Sequence, residues 1–370
     1  MTNQIKSFYS PLYLAERACQ SLMKRYSPRE LPPAGKWHYH QGVFLYGMLK
    51  VWEKTNKYEY FDYIKSYFDY LIDEDGNFLF ARDELDSIQP GMLLFTLYKK
   101  TGDRRYKIAA KKLRSLFWTL NRTKEGGFWH KDKYPYQMWL DGLFMAGPFA
   151  LMYSHEYNEP ELIEIVLFQE KLMCIHMKDP KTGLLYHAWD EKRETPWSNS
   201  ATGCSPEFWG RSIGWYGAAL VEMLELLPEN HVGRKELIES LRNLVESLVQ
   251  FQDKETGLWY QVVDKGDRED NWLESSCSSL FIYTIAKAIQ KNYIDIKYLQ
   301  TVKFAYEGLL KNMIICDNDD WIMKGICIGT SAGVYDYYVS RPTLENDLHG
   351  VGAFLLASMA LQEVIEKREE

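Results

Sequence analysis

The sequence predicts an all-α chain of paired helices, on three observations. Helical periodicity recurs over residues 11–26, 37–54, 57–72, 88–101, 104–121, 137–154, 159–177, 206–226, 234–252, 272–290, 297–312 and 346–366. Long alternating strand patterns are absent. A turn echoes between helix pairs: Asp75-Gly76-Asn77-Phe78-Leu79-Phe80, Gly127-Phe128-Trp129-His130, Thr182-Gly183-Leu184-Leu185-Tyr186-His187 and Thr256-Gly257-Leu258-Trp259-Tyr260-Gln261. Each is a glycine followed by an apolar and aromatic run, a polar loop and a new helix.

The echoed glycines stand 51, 56 and 74 residues apart. Irregular two-helix repeats imply a curved or closed array. Six hairpins closing on themselves would make an (α/α)6 barrel. An open tetratricopeptide superhelix, with its period of roughly 34 residues, does not fit these spacings. No Ser/Gly-rich linker divides the chain, so one domain over 1–370 is expected.

In a closed array every second helix is inner. The inner helices would begin near Trp37, Ile88, Gln137, Glu207, Trp272 and Asn346, with their starts on one rim. Those starts are polar and aromatic: Trp37-His38-Tyr39-His40-Gln41, Asp86-Ser87-Ile88-Gln89, Trp139-Leu140-Asp141, Glu207-Phe208-Trp209-Gly210-Arg211 and Asn346-Asp347-Leu348-His349. Groups distant in sequence would therefore meet in one pocket.

Asp141 is the most informative of them. From Met138 to Tyr153 it is the only charged side chain, so the helix expected there is apolar all round and buried. A carboxylate in such surroundings needs a hidden partner or a raised pKa. Asp86 is a second rim acid, or simply a helix cap. His130 and His187 occupy matching places in two echoes, where either could orient an acid. Arg211 is an isolated cation on an apolar helix start. It wants an anion, or a structural partner such as Glu207 or Asp141. Gly210, Gly214 and Gly217 allow close approach of a helix or a ligand. Trp139 and Trp209 read equally well as core or as binding surfaces. His38 and His40, two apart, would not face each other on a helix.

Bulk composition excludes several classes. Net charge is −7 without a basic stripe, which argues against nucleic acid. Six cysteines without C-x-x-C spacing fit reduced thiols better than a disulfide frame or zinc site. Met1 to Lys24 has no apolar signal core, and the longest uncharged apolar stretch is too short for a bilayer, so a cytoplasmic protein without a membrane partner is expected. Aromatic content is 15%, which suits sugar rings as well as a large core. Walker, Gly-x-Ser-x-Gly and His-Glu-x-x-His patterns are absent. No metal and no cofactor is expected.

Three stretches together resemble glycoside hydrolase family 105, the unsaturated rhamnogalacturonyl hydrolases: Gln137-Met138-Trp139-Leu140-Asp141-Gly142-Leu143-Phe144-Met145, Ser205-Pro206-Glu207-Phe208-Trp209-Gly210-Arg211, and Glu345-Asn346-Asp347-Leu348-His349-Gly350-Val351-Gly352-Ala353-Phe354. The likeness spans nearly the whole chain. Family 88, the unsaturated glucuronyl hydrolases, is a neighbour with the same fold. The resemblance implies the (α/α)6 barrel. It implies Asp141 as the catalytic acid/base, with Asp86, Lys131, Trp139, His187, Trp209 and Arg211 binding substrate. It also implies a substrate, an oligosaccharide whose non-reducing uronic acid carries a C4=C5 double bond. Burial among Trp139, Leu140 and Phe144 would raise the Asp141 pKa toward working pH, Arg211 would hold the uronate, and Trp209 would stack on a ring. Two other classes remain: a helical-repeat interaction protein, and a sugar epimerase using His187 and His349. The second leaves Asp141 unexplained.

Overall fold

The computed structural model describes residues 10–79, 81–317 and 320–369. Phe80 of the first echo, the first nine residues of the Met1–Lys24 stretch and Glu370 of the charged tail lie outside the described residues.

Six outer helices are α1 (Pro11–Arg25), α3 (Tyr58–Leu71), α5 (Arg104–Thr119), α7 (Glu161–Met177), α9 (Arg234–Gln250) and α11 (Leu299–Asn312). Six inner helices are α2 (Tyr39–Thr55), α4 (Met92–Thr101), α6 (Gly142–Tyr157), α8 (Gly210–Leu226), α10 (Ser275–Gln290) and α13 (Leu348–Glu369). Each inner helix packs on the next, and α13 returns to α2, so the ring closes as the expected (α/α)6 barrel. Patterning explains the division. Outer helices carry one apolar stripe, as α9 does with Leu237, Leu241, Leu244, Val245 and Leu248. Inner helices are buried over more of their surface, most completely α8, which is buried continuously from Gly210 to Leu224, while the short α4 exposes its Lys99–Thr101 end.

The three glycines of α8 serve helix packing. A Cβ on Gly210, Gly214 or Gly217 would come within 2.8, 2.7 or 2.7 Å of Cys277, Leu280 or Thr284 on α10. Helix α13 is long and apolar enough to cross a membrane by composition, but 83% of its apolar window is buried inside the barrel. It is hydrophobic because it is an inner wall.

Two expectations need correction. Gln137–Trp139 is not helical. It forms strand β1, paired antiparallel with β2 (Ala188–Asp190) in the register Trp139↔Ala188, and α6 starts only at Gly142. Helix α4 likewise starts at Met92, after short 3-10 turns at Leu85–Ser87 and Gln89–Gly91. In the second echo the left-handed residue is Gly126 (φ 95°), not Gly127; Gly76, Gly183 and Gly257 hold that conformation in the other three.

The echoed turns follow outer helices and lead the chain to the next inner helix. Between α11 and α13 lies a longer excursion that helical periodicity did not reveal. It contains β3 (Ile314–Cys316) paired with β4 (Trp321–Met323), β5 (Ile326–Cys327) paired with β6 (Thr343–Leu344), and the short helix α12 (Tyr335–Val339).

Candidate active site

The inner-helix starts converge on one cleft of about 660 Å³, open to solvent. His38, Tyr39 and His40 come from the start of α2, Asp86 from the turn before α4, Trp139 and Asp141 from the approach to α6, and Trp209 and Arg211 from the start of α8. His130, Lys131 and Tyr134 come from the connection before β1, and Gly329–Ser331 from the excursion before α13.

On one side every charge has partners. Asp86 accepts from Lys131 Nζ, which also reaches Glu84 at 3.2 Å. His130 Nε2 lies 3.5 Å from the same carboxylate. Burial alone would raise the Asp86 pKa, but the Lys131 ammonium, with His130 and His38, holds it at about 2. Burial pushes His130 down to about 4 and His38 to about 3. Asp86 lies in the 3-10 turn itself and makes no cap bond to the backbone.

Opposite sits Asp141, 8% exposed. It occupies the cap position of α6, yet its side chain makes no cap bond. The carboxylate is held instead over His187. The β1–β2 ladder continues as Leu140 N–H to His187 O at 2.9 Å, and this fixes the two residues together. His187 is fully buried, and its Nε2 comes within 3.3 Å of Asp141 Oδ2. The approach lacks hydrogen-bond alignment, so both atoms remain without a hydrogen-bond partner. Burial raises the Asp141 pKa, but charge on His187, then on His130, outweighs it and holds the carboxyl below its usual range. The raised pKa expected from apolar surroundings is thus corrected: the sequence could not show imidazoles brought in from two other connections.

Arg211 is 1% exposed and faces the cleft. It pairs with neither Glu207 nor Asp141. Its terminal nitrogens donate to the backbone carbonyls of Cys327 and, at 2.6 Å, of Ile328. Glu207 is taken by Lys265. The guanidinium therefore has neutral partners for a full charge, and the two bonds use only two of its five N–H donors.

Trp209 differs from the stacking expectation, whereas Trp139 lines the cleft as expected. Trp209 is also 1% exposed, with Arg211 4.5 Å over its ring and the His187 and Tyr338 rings 4.5 and 5.8 Å away, so no face is open to a sugar. Trp139 is stacked on His130 and Tyr134, each at 4.5 Å.

Sequence reasoning missed several neighbours. His40 and His349 each direct Nδ1 at Asp347 Oδ1, at 3.0 and 2.9 Å. These three side chains are the group among the described residues with ligand atoms close enough to hold a metal ion. His38 and His40 had been set aside for their spacing, but His38 caps α2 rather than lying within it. Asp347 and His349 lay in a quoted motif without a role. Tyr338 had no sequence signal.

The comparisons with known proteins fit this architecture. The profile of Glycosyl Hydrolase Family 88 matches residues 14–365. A solved structure of a family 105 glycoside hydrolase from C. acetobutylicum is similar, with 38% identity, a TM-score of 0.89 and coverage of 94% of this chain and 98% of that one. The unsaturated rhamnogalacturonyl hydrolase YesR of Bacillus subtilis is 30% identical over 274 residues, 72% of this chain and 75% of YesR. Protein Atu3128 of Agrobacterium fabrum is 32% identical over 227 residues, 58% of this chain and 96% of that protein. The chain belongs to glycosyl hydrolase family 88, whose model it matches, is similar to family 105 structures, and is a glycoside hydrolase.

Proposed function

We propose that this enzyme removes the Δ4,5-unsaturated uronic acid from the non-reducing end of oligosaccharides that a lyase releases from pectin or rhamnogalacturonan. The observation that carries the reading is a buried acid, Asp141, with an oxygen that has no hydrogen-bond partner among the described residues, in the same cleft as a buried guanidinium, Arg211, that pairs with none of their carboxylates. YesR, a relative whose name states that activity, supports the substrate class.

The C4=C5 bond of such a sugar is an enol ether. Asp141 delivers its proton to C4, which creates an oxocarbenium-like charge between C5 and the ring oxygen. Water adds at C5 and returns a proton to Asp141. The C5 hemiketal opens to a ketone, and the hemiacetal at C1 then expels the aglycone. Attack at the anomeric carbon is not required, so the two-carboxylate separation rule of ordinary glycosidases does not apply. The step calls for neither a cofactor nor a metal.

Asp141 must be protonated for this chemistry. A uronate carboxylate bound beside it, together with expulsion of water, favours the neutral acid. Arg211 supplies the charge that holds the uronate, and Asp86 with Lys131 forms the fixed opposite wall. The six cysteines are all free, which fits the cytoplasmic residence included in this reading.

The test is direct. Lyase-digested pectin carries a conjugated double bond that absorbs in the ultraviolet, and hydration removes it. The wild-type enzyme should abolish the absorbance and release a saturated aglycone. Persistence of the absorbance with every lyase-derived oligosaccharide would refute the reading.

A further inference from the structure

We infer that Tyr338 is a positioning residue, whose hydroxyl locks His187 in the Nε2–H tautomer and so puts a proton, not a lone pair, on the ring nitrogen nearest Asp141. The inference rests on the proposed role of Asp141 and extends it to a residue on the excursion between α11 and α13.

The argument is a count of donors and acceptors. Tyr338 is fully buried, so bulk water does not complete its bonding. Its oxygen accepts the Gly333 backbone N–H at 3.0 Å. It lies 2.8 Å from His187 Nδ1. A phenol has one hydrogen to donate. Among the described residues, Nδ1 is the acceptor within reach of that hydrogen. Nδ1 therefore accepts, and when the ring carries a single proton that proton is on Nε2. Nε2 is the atom 3.3 Å from Asp141 Oδ2. The donors run one way, Gly333 N–H to Tyr338 and Tyr338 O–H to His187, which leaves the ring proton on the nitrogen nearest Asp141.

The opposite tautomer would give Nδ1 a hydrogen. Tyr338 would then have to accept twice, and its own hydroxyl hydrogen would be stranded in the interior. A buried donor without a partner is unfavourable. The surrounding structure keeps Tyr338 in place. Its ring stacks on Trp209 at 19°, and its carbonyl accepts from Gln261 Nε2 at 3.1 Å. Gly333 has no room for a side chain, since a Cβ there would meet Tyr337 at 2.4 Å. The turn is shaped to bring a backbone N–H to the phenol.

The consequence falls on catalysis rather than on binding. When Asp141 gives its proton to the substrate, the carboxylate that remains has a protonated ring nitrogen 3.3 Å away. In the other tautomer it would face a lone pair.

The experiment has two independent arms. The first reads nitrogen-15 chemical shifts of the imidazoles in wild-type protein without substrate, assigning His187 by comparison with His187→Gln. A protonated Nε2 and an unprotonated Nδ1 are expected; a protonated Nδ1 with a bare Nε2 would overturn the inference. This arm needs neither activity nor the tyrosine variant, so it decides the inference even if the substrate reading fails. The second arm compares Tyr338→Phe with wild type. A kcat lower by about 10–100-fold, within the range for a group serving an acid–base step, is expected with KM nearly unchanged. The nitrogen-15 spectrum should then show a mixture of tautomers at His187. Unchanged kcat with a folded variant, or equal losses in binding and turnover with the tautomer intact, would count against it.

Discussion

The two walls of the cleft are built from the same residue types and behave oppositely. On one wall Asp86 has Lys131, Lys131 also has Glu84, and His130 stands by. On the other, Asp141 Oδ2 and His187 Nε2 approach without bonding, and Arg211 has only neutral carbonyls. A wall whose charges are paired holds one protonation state, although His130 Nδ1 there has no hydrogen-bond partner among the described residues. A wall short of partners can change protonation and take an anion. Both acids are buried, at 4% and 8% exposure, and it is their partners that distinguish them.

The largest effect should follow from the partner-short wall. Asp141→Asn is expected to fold normally and to lose ~10³-fold in kcat, within the range for general acid–base work. Near-normal turnover in a folded variant would remove the central difference between the walls. Asp86→Asn should behave the other way. It breaks a buried ion pair, and with Glu84 remaining as a second partner for Lys131 the loss should be ~3 kcal/mol of stability. Chemical denaturation would measure it, and an unchanged midpoint would mean that Asp86 does not hold the wall.

Arg211→Lys sharpens the same contrast from the substrate side. A lysine keeps the charge but not the planar set of donors, so kcat/KM should fall ~30-fold, the worth of a charged hydrogen bond. The loss should shrink on a substrate whose uronate is esterified. An equal loss on acid and ester would make Arg211 a structural anchor for the Cys327–Ile328 backbone and nothing more.

The smallest expected effect is an acid limb of stability. The Asp86 pKa is depressed in the folded protein, from 3.8 to about 2. A depressed carboxylate stabilises above its unfolded pKa and loses that contribution as pH falls through the folded one. About 2 kcal/mol should therefore disappear between pH 4 and pH 2, and Asp86→Asn should lack this limb. The buried histidines act at higher pH. His38, His130 and His349 fall to about 3, 4 and 4, so the folded state resists charging them and stability should begin to decline as pH drops below 6.5. A wild-type denaturation midpoint that stays flat from pH 6.5 to 4 would contradict that assignment.

Sequence by itself made a closed array of helix pairs plausible and singled out Asp141, and the resemblance carried by its motifs implied the (α/α)6 barrel and the acid/base role proposed for that residue. Twelve apolar periodicities separate into mostly striped outer helices and inner ones buried over more of their surface, because a helix inside a ring meets neighbours on most sides. The echoed turns were legible because each follows an outer helix, and glycine readily takes the left-handed conformation found in them. Asp141 stood out because it is alone among apolar residues. The limits were also physical. Gln137–Trp139 carries an apolar pattern that suits a helix, yet its backbone bonds to Ala188–Asp190, a pairing that exists only once two hairpins are neighbours. The pKa of Asp141 depends on His187 and His130, both supplied by other connections. The partners of Arg211, Tyr338 beneath His187, and Asp347 between His40 and His349 come from the excursion after α11 or its junction with α13. Electrostatics and hydrogen bonding act across a few ångströms of space, whatever the distance along the chain. Periodicity therefore revealed which helices form the barrel, and only the closed barrel decided which side chains meet at its rim.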